Sequence, residues 1–186
     1  MRLVDGEARI DDLDTFLGEL TAIGGATDCT VQAFDARYVV DRAHLERALT
    51  LADRALARGE NVARDRGVEV ALYAAGRRQI DRALTTGVSE GEGSVVVLVA
   101  ADPEAGMTDD GAGDASDADA PADLDAREAE AADRVRDLLD PAEALGAYDE
   151  ALVREFFDVT DAELAATEGT LADAVHERVA LLDVRK

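Results

Sequence analysis

A mixed α/β (α+β) fold, one compact domain with a small sheet covered by helices, is what the order of segments in this chain predicts. Three observations carry it. SVVVLVA, Ser94 to Ala100, is an unbroken valine-rich run of strand length, bounded by GEG and Asp102-Pro103, as expected of a central strand covered on both faces. RAHLERALTLADRALARG, after Asp41, repeats apolar side chains every three and four residues, the spacing of one helix face. The stretch up to Phe34 reads as strand, helix, strand. At 186 residues and 47% hydrophobic composition, the chain suits one domain that buries roughly 70% of its unfolded surface.

In order, RLVDGEARI alternates weakly around a central glycine, which suggests a short strand or hairpin arm. Asp11 and Asp12 open a helix with Leu13, Phe16, Leu17 and Leu20 on one face, and Gly24-Gly25 is expected to stop it. CTVQAF, Cys29 to Phe34, alternates as a strand does. Asp41 caps the long helix that Gly59 ends, with Leu45, Ala48, Leu49, Ala52 and Leu56 on its apolar face. A second helix starts near Arg66 with Val68, Leu72 and Ala75 in a stripe; the pattern resumes after Gly76 through Ile80 and Leu84 and closes at Gly87. From Asp102 to Leu124 the chain turns to Asp, Ala and Gly, too apolar-poor to offset its ordering entropy, and reads as a disordered acidic insertion. The domain is thus expected to span 1–186, interrupted at 102–124. Helices are predicted over Asp125–Leu139, before Pro141, and over Tyr148–Phe157. Thr160 with Glu163 forms a capping box, and Thr170 caps a last helix striped by Leu171, Ala174, Val175, Val179 and Leu182.

Acidic residues outnumber basic ones 42 to 19, and eighteen of the basic residues are arginine against one lysine, Lys186. The net charge of −23 with only 4% aromatics reads as adaptation to a salt-rich cytoplasm. Near molar salt the Debye length falls to about 3 Å, so the carboxylates scarcely repel one another. The plainer alternative is a protein kept from associating by self-repulsion. Cys29 stands alone, which excludes an intrachain disulfide and a cysteine-rich zinc site. The charged N-terminus is unlike a signal peptide, and no apolar run approaches the roughly 18 residues of a membrane span, so a soluble cytoplasmic protein is expected.

Catalytic signals are missing from the pattern. There is no GxGxxG or Walker loop, and GEGSVVV leads into a strand instead of joining a strand to a helix. His44 and His176 lie mid-helix without ligand-spaced partners and read as surface or boundary residues, and Cys29 reads as a core thiol. Neither enzymatic activity nor a cofactor is expected.

Charge is segregated, however. Ala36 to Arg82 holds ten arginines against seven acids, a net of +3, whereas Ala101 to Glu150 holds three against seventeen, a net of −14. Arg64, Arg66, Arg77 and Arg78 concentrate in ENVARDRGVEVALYAAGRRQI. Gly76 would allow a tight entry into the following helix, whose first amides favour an anion; Arg77 or Arg78 would add a planar fork for phosphate, and Gln79 would read a base edge or sugar hydroxyl. The alternative is a solvated face with these arginines paired to Asp65, Glu69 and Asp81.

ENVARDRGVEVALYAAGRRQIDRALTTGV (Glu60 to Val88), VQAFDARYVVDRAHLERAL (Val31 to Leu49) and ERVALLDVRK (Glu177 to Lys186) together resemble the small regulatory subunit of the KEOPS complex, the archaeal relatives of the human PRPK-binding protein. The resemblance covers nearly the whole chain outside 102–124. It implies a compact α/β domain, without catalytic activity or cofactor, that binds the small protein kinase/ATPase of KEOPS. It also implies a role in N6-threonylcarbamoyladenosine modification, recruiting tRNA by its single-stranded CCA end and meeting the other subunits indirectly. No membrane and no small-molecule substrate are implied. Carried over residue by residue, it puts the tRNA contact at Gly76, Arg77, Arg78, Gln79 and Ile80, with Asn61 and Arg64. The stripe Leu171, Val175, Val179 and Leu182 is expected, from its apolar content, to meet the kinase. A module that only activates the kinase, its arginines pairing across that interface, is the alternative. Substituting Arg77 and Arg78 by Glu is expected to lower tRNA binding with the fold intact on the first reading, and to abolish kinase co-purification on the second.

Overall fold

Four antiparallel strands in the order β2-β3-β1-β4 form the frame of the computed structural model, which describes residues 1–102, 120–166 and 169–184. β1 (Arg2–Ile10) pairs along its whole length with β3 (Gly91–Ala101), from Arg2 opposite Val99 to Ile10 opposite Gly91. It is therefore an interior strand and not a short hairpin arm. Its central Gly6 has a different purpose: a Cβ there would come within 2.6 Å of the Asp140 carbonyl, so the missing side chain lets β4 (Asp140–Pro141) approach. β2 (Cys29–Asp35) pairs with β3 on the other side.

Strand β3 is buried on both faces, as its unbroken apolar run requires. Val95, Val97 and Val99 pack with Phe16, Leu20 and Ile23 of α1 (Leu13–Thr27) and with Ala131, Ala132 and Val135 of α5 (Ala120–Arg136). Val96, Leu98 and Ala100 face the opposite layer, built from α2 (Arg42–Arg58), α3 (Arg66–Ala74) and α8 (Leu171–Val184). Period-two alternation thus sorts one strand's valines into two cores.

Caps fix the helix ends. The side chains of Asp12, Asp41, Asp65 and Asp149 accept from the backbone N–H of Thr15, His44, Val68 and Leu152, and Gly59 closes α2 at φ +65°. Asp149 starts α6 (Glu150–Phe157), two residues later than the sequence predicts. Thr160 accepts from Glu163 N ahead of α7 (Asp161–Ala166), and Thr170 with Asp173 caps α8 reciprocally.

Two further boundaries differ from expectation. Gly24-Gly25 does not stop α1, which runs on to Thr27 and ends at Asp28 in the left-handed region, φ 49°. Gly24 is needed for proximity, since a Cβ would meet the Cys29 carbonyl at 2.6 Å as the helix turns back onto β2. Helix α5 begins at Ala120, inside the segment expected as insertion, and ends at Arg136. A proline in the first turn has no intrahelical N–H bond to lose, so APADL can be helical. Of the expected insertion, residues 103–119 lie outside the described residues.

Candidate functional site: the turn and loop around helix α3

Asp65 caps the start of α3, and Glu69 in the same first turn is 2% exposed. Glu69 Oε2 accepts from the N–H groups of Val62 (3.0 Å) and Ala63 (2.8 Å), so a buried carboxylate holds the ENVAR turn over the helix start. Within the turn, Asn61 Nδ2 donates to the Ala63 carbonyl at 2.7 Å. That bond commits Asn61 to shaping the turn, while Arg64 extends into solvent with no ion pair among the described residues.

At the other end of α3 the chain turns at Gly76, φ +60°. Gly76 N donates to the Tyr73 carbonyl and Arg77 N to that of Leu72, the paired bonds of a Schellman closure. The glycine ends the preceding helix and does not open the next one. Helix α4 (Ile80–Ala83) is a single turn with no side-chain cap, so the expected anion seat at its N-terminus is replaced by other geometry.

The two arginines also take partners that were not expected. Arg77 Nη2 donates to the Phe156 carbonyl and to Asp158 Oδ2 (2.8 Å), and its guanidinium lies 5.7 Å from the Phe156 ring centroid. Arg78 Nη2 donates to the Leu182 carbonyl at 2.9 Å, near the C-terminal end of α8 where a cation is favoured. Neither pairs with Asp65, Glu69 or Asp81. Arg77 and Arg78 hold the loop to α6 and α8, and Gln79 and Ile80, both exposed, follow from that fixed frame. Arg77→Glu with Arg78→Glu would therefore destabilise the fold by roughly 2 kcal/mol, placing carboxylates against carbonyls, and would not leave it intact. A urea midpoint equal to that of the wild type would refute this structural role.

One small core joins turn and loop. Ala63, Leu72, Ala75 and Ala83 are buried together, with Val68 and Phe156 packed against them. The residues predicted to act together, Asn61, Arg64, Gly76, Arg77, Arg78, Gln79 and Ile80, thus belong to two segments that share one support. Three of the four exposed large apolar side chains among the described residues are also on these segments: Val62 (46% exposed), Ile80 (42%) and Leu84 (54%). Val62 and Arg82, which has no partner among the described residues, were missed in the sequence, and Leu84, read there with Ile80 as part of the apolar helical pattern, is exposed instead. For Val62 the signal was available: an apolar residue that falls off the buried positions Ala63, Leu72, Ala75 and Ala83.

Leu171, Val175, Val179 and Leu182 face inward. They are 8%, 0%, 0% and 8% exposed, packed in the cores that α8 forms with α2, α3 and α6. Their apolar area is used within the chain, so the stripe is not an open surface. His44 is also inside, not at a boundary: 2% exposed, its Nε2 lies 2.8 Å from the Ala74 carbonyl and its ring is edge-on to Phe157. Burial lowers its pKa to about 4, which keeps the ring neutral and Nε2 a donor. His176 Nε2 bonds Asp41 at 2.9 Å. Cys29 is buried, and burial raises its thiol pKa, which makes it unreactive. Among the described residues no three His, Cys, Asp or Glu side chains are grouped as a metal site needs, and no helix is long and apolar enough to cross a membrane.

Fold and site together define a small α/β protein whose candidate surface is a turn and a loop supported by one small core. The family model described as kinase binding protein CGI-121 matches residues 12–183. The chain belongs to that kinase-binding family, which suggests a non-catalytic, regulatory role in protein–protein interaction. No curated protein matches it.

Proposed function

We propose that this protein is the kinase-regulating, tRNA-recruiting subunit of a KEOPS complex, acting without catalysis of its own in threonylcarbamoyladenosine modification in the cytoplasm of a salt-adapted cell. The unpaired CCA end of the tRNA binds at the turn and loop flanking α3, and the other subunits are met through the kinase and the shared tRNA. The observation that supports this most is the common core of Ala63, Leu72, Ala75 and Ala83, which brings ENVAR and GRRQI to one surface with exposed Val62, Ile80 and Leu84. In this reading Arg64 and Arg82 supply the mobile positive charge, Gln79 the hydrogen bonds, and Arg77 and Arg78 the frame.

Salt decides how such a site must work. Two phosphate contacts to a single strand give a log–log slope of about −1.4, so moving from 0.1 to 2 M salt costs on the order of 2 kcal/mol. Apolar and stacking contacts, at about 1–3 kcal/mol per base, survive better and suit the exposed Val62, Ile80 and Leu84. Affinity of the lone subunit is then modest and rises when the complex holds the same tRNA.

Arg64→Glu with Arg82→Glu tests this. Both side chains are exposed and unpaired among the described residues, so the fold and kinase co-purification should persist while tRNA binding falls about tenfold or more at 0.1 M salt. Unchanged tRNA binding would reject the site. Loss of kinase co-purification with these substitutions would instead favour the purely kinase-activating module.

A further inference from the structure

One edge of the sheet is β2, which among the described residues pairs only with β3. Asp102 N donates to the Asp28 carbonyl, and that bond sets the alternation. Thr30, Gln32 and Phe34 turn their N–H and C=O toward β3, whereas Cys29, Val31 and Ala33 turn theirs outward. Cys29 is closed off, since Gly24 of α1 lies so near its carbonyl that a Cβ would meet it at 2.6 Å. The Ala33 carbonyl accepts from Gln32 Nε2 at 3.1 Å, a side-chain amide standing where a neighbouring strand's N–H would stand. Between them, the N–H and C=O of Val31 have no partner among the described residues.

A cleft of about 630 Å³ runs along this edge. Leu13 and Leu17 of α1 form one wall, and Val68 of α3 with Leu84 forms the other. Leu17, 40% exposed, is the fourth of the exposed large apolar side chains and the one away from the turn and loop around α3. Asp28, Asp65 and Asp102 also line the cleft, and among the described residues no Lys, Arg or His does. Arg127, close behind, spends its guanidinium on the carbonyls of Thr27, Asp28 and Asp102.

We propose that this groove takes an extended segment of a partner protein as a fifth strand beside β2, apolar at its centre and carrying lysine or arginine where it passes Asp28 and Asp102. Main-chain bonds to Val31 would hold the segment, and the Gln32 amide would give up the Ala33 carbonyl to it. Because strand side chains alternate, the partner residue opposite Val31 points toward Leu13 and Leu17, and its two neighbours point toward Val68 and Leu84. Both walls ask for apolar side chains. The three aspartates, without a base in the lining, favour a basic flank and repel a phosphate chain. A second copy fits poorly: the edge lies on the floor of a cleft walled on both faces, so a single strand reaches it and an equally recessed edge does not. Only Leu84 is common to this groove and the surface proposed for RNA, so the two are separate sites.

Fluorescence anisotropy with the full chain and labelled peptides tests this. The probe has a Thr-Val-Ile-Val-Thr core with Lys-Arg at both ends, so that either strand direction brings a basic pair to Asp28. In 0.1 M potassium chloride it should bind about tenfold more tightly than the same core with Glu-Glu at both ends. At 1 M salt, where the Debye length is about 3 Å, the two should come within about threefold. N-methylation of two adjacent core residues should weaken the basic peptide about tenfold or more at both salts, because one of any two adjacent N–H groups must face β2. Leu17→Arg should lower its affinity about tenfold with the urea midpoint unchanged, since that side chain is exposed. Failure of the basic peptide to bind, equal binding of the basic and acidic peptides at 0.1 M, or undiminished binding of the N-methylated one overturns the inference. So does displacement of the peptide by octauridine, which would give the groove to RNA, or a dimer in sedimentation that Leu17→Arg separates, which would give it to a second copy.

Discussion

Glu69→Ala is expected to lower the unfolding free energy by about 3 kcal/mol, and Glu69→Gln by only about 1. The difference follows from one oxygen. Glu69 Oε2 is the acceptor for both Val62 N and Ala63 N; Ala63 is 5% exposed, so removing the side chain strands its donor where water cannot easily replace the carboxylate, and releases the second donor, on the more exposed Val62. A glutamine keeps an acceptor in place and loses the charge-assisted part of the bonds. Glu69 also lies in the first turn of α3, where a carboxylate is favoured by the helix dipole, which gives the alanine variant a smaller second loss. Urea unfolding should show the midpoint shift with an unchanged slope, as expected of altered native contacts. On the proposed function, the alanine variant also frees the turn that carries Asn61 and Arg64, so tRNA binding should fall with it and return in the glutamine variant. Equal midpoints for alanine and glutamine would remove Glu69 from this role.

What the sequence made legible is what local chemistry decides. The valine run of β3, the caps of Asp12 and Asp41, and Gly59 each depend on a few neighbouring residues, and each is where the pattern put it. Segments whose partners are distant in the chain were harder to read. Arg77 finds Phe156 and Asp158, and Arg78 finds Leu182; the acids close in sequence, Asp65, Glu69 and Asp81, were the only partners that spacing could offer. The glycines show the same limit. Gly24 and Gly6 serve close approach to Cys29 and Asp140, a tertiary demand that reads in sequence as a helix stop or a turn. Stripe logic likewise identified α8's apolar face correctly and could not say whether the protein itself or a partner covers it; Val175 and Val179, both fully buried, answer that. The candidate site was legible as two motifs, and the core of Ala63 and Ala83 that unites them was not, because alanines give the weakest apolar signal.

Acidification from pH 7 to 4 is expected to cost the native state about 3 kcal/mol through His44 alone. Burial holds its pKa at about 4, against 6.5 for the free side chain; the bond to the Ala74 carbonyl and the nearby Asp41 offset this only in part, and His176 adds to it. Because the folded state takes up the proton less readily than the unfolded chain, the contribution is fully present above about pH 6.5. It shrinks as pH falls toward 4 and changes no further below that. The consequence reaches the candidate site, since Ala74 is the last residue of α3 and the Gly76 closure follows it directly. A charged His44 at 2.8 Å from that carbonyl would keep its donor but would sit desolvated against the Phe157 ring edge, so the loop should loosen with the helix end. Carboxylates titrate over part of the same range, and His44→Gln separates the two: the variant retains them all and lacks the imidazole. Plotted as urea-derived stability against pH, the wild type should lose about 3 kcal/mol more than His44→Gln between pH 6.5 and 4, and curves that run parallel over that window would show that His44 does not carry the acid sensitivity.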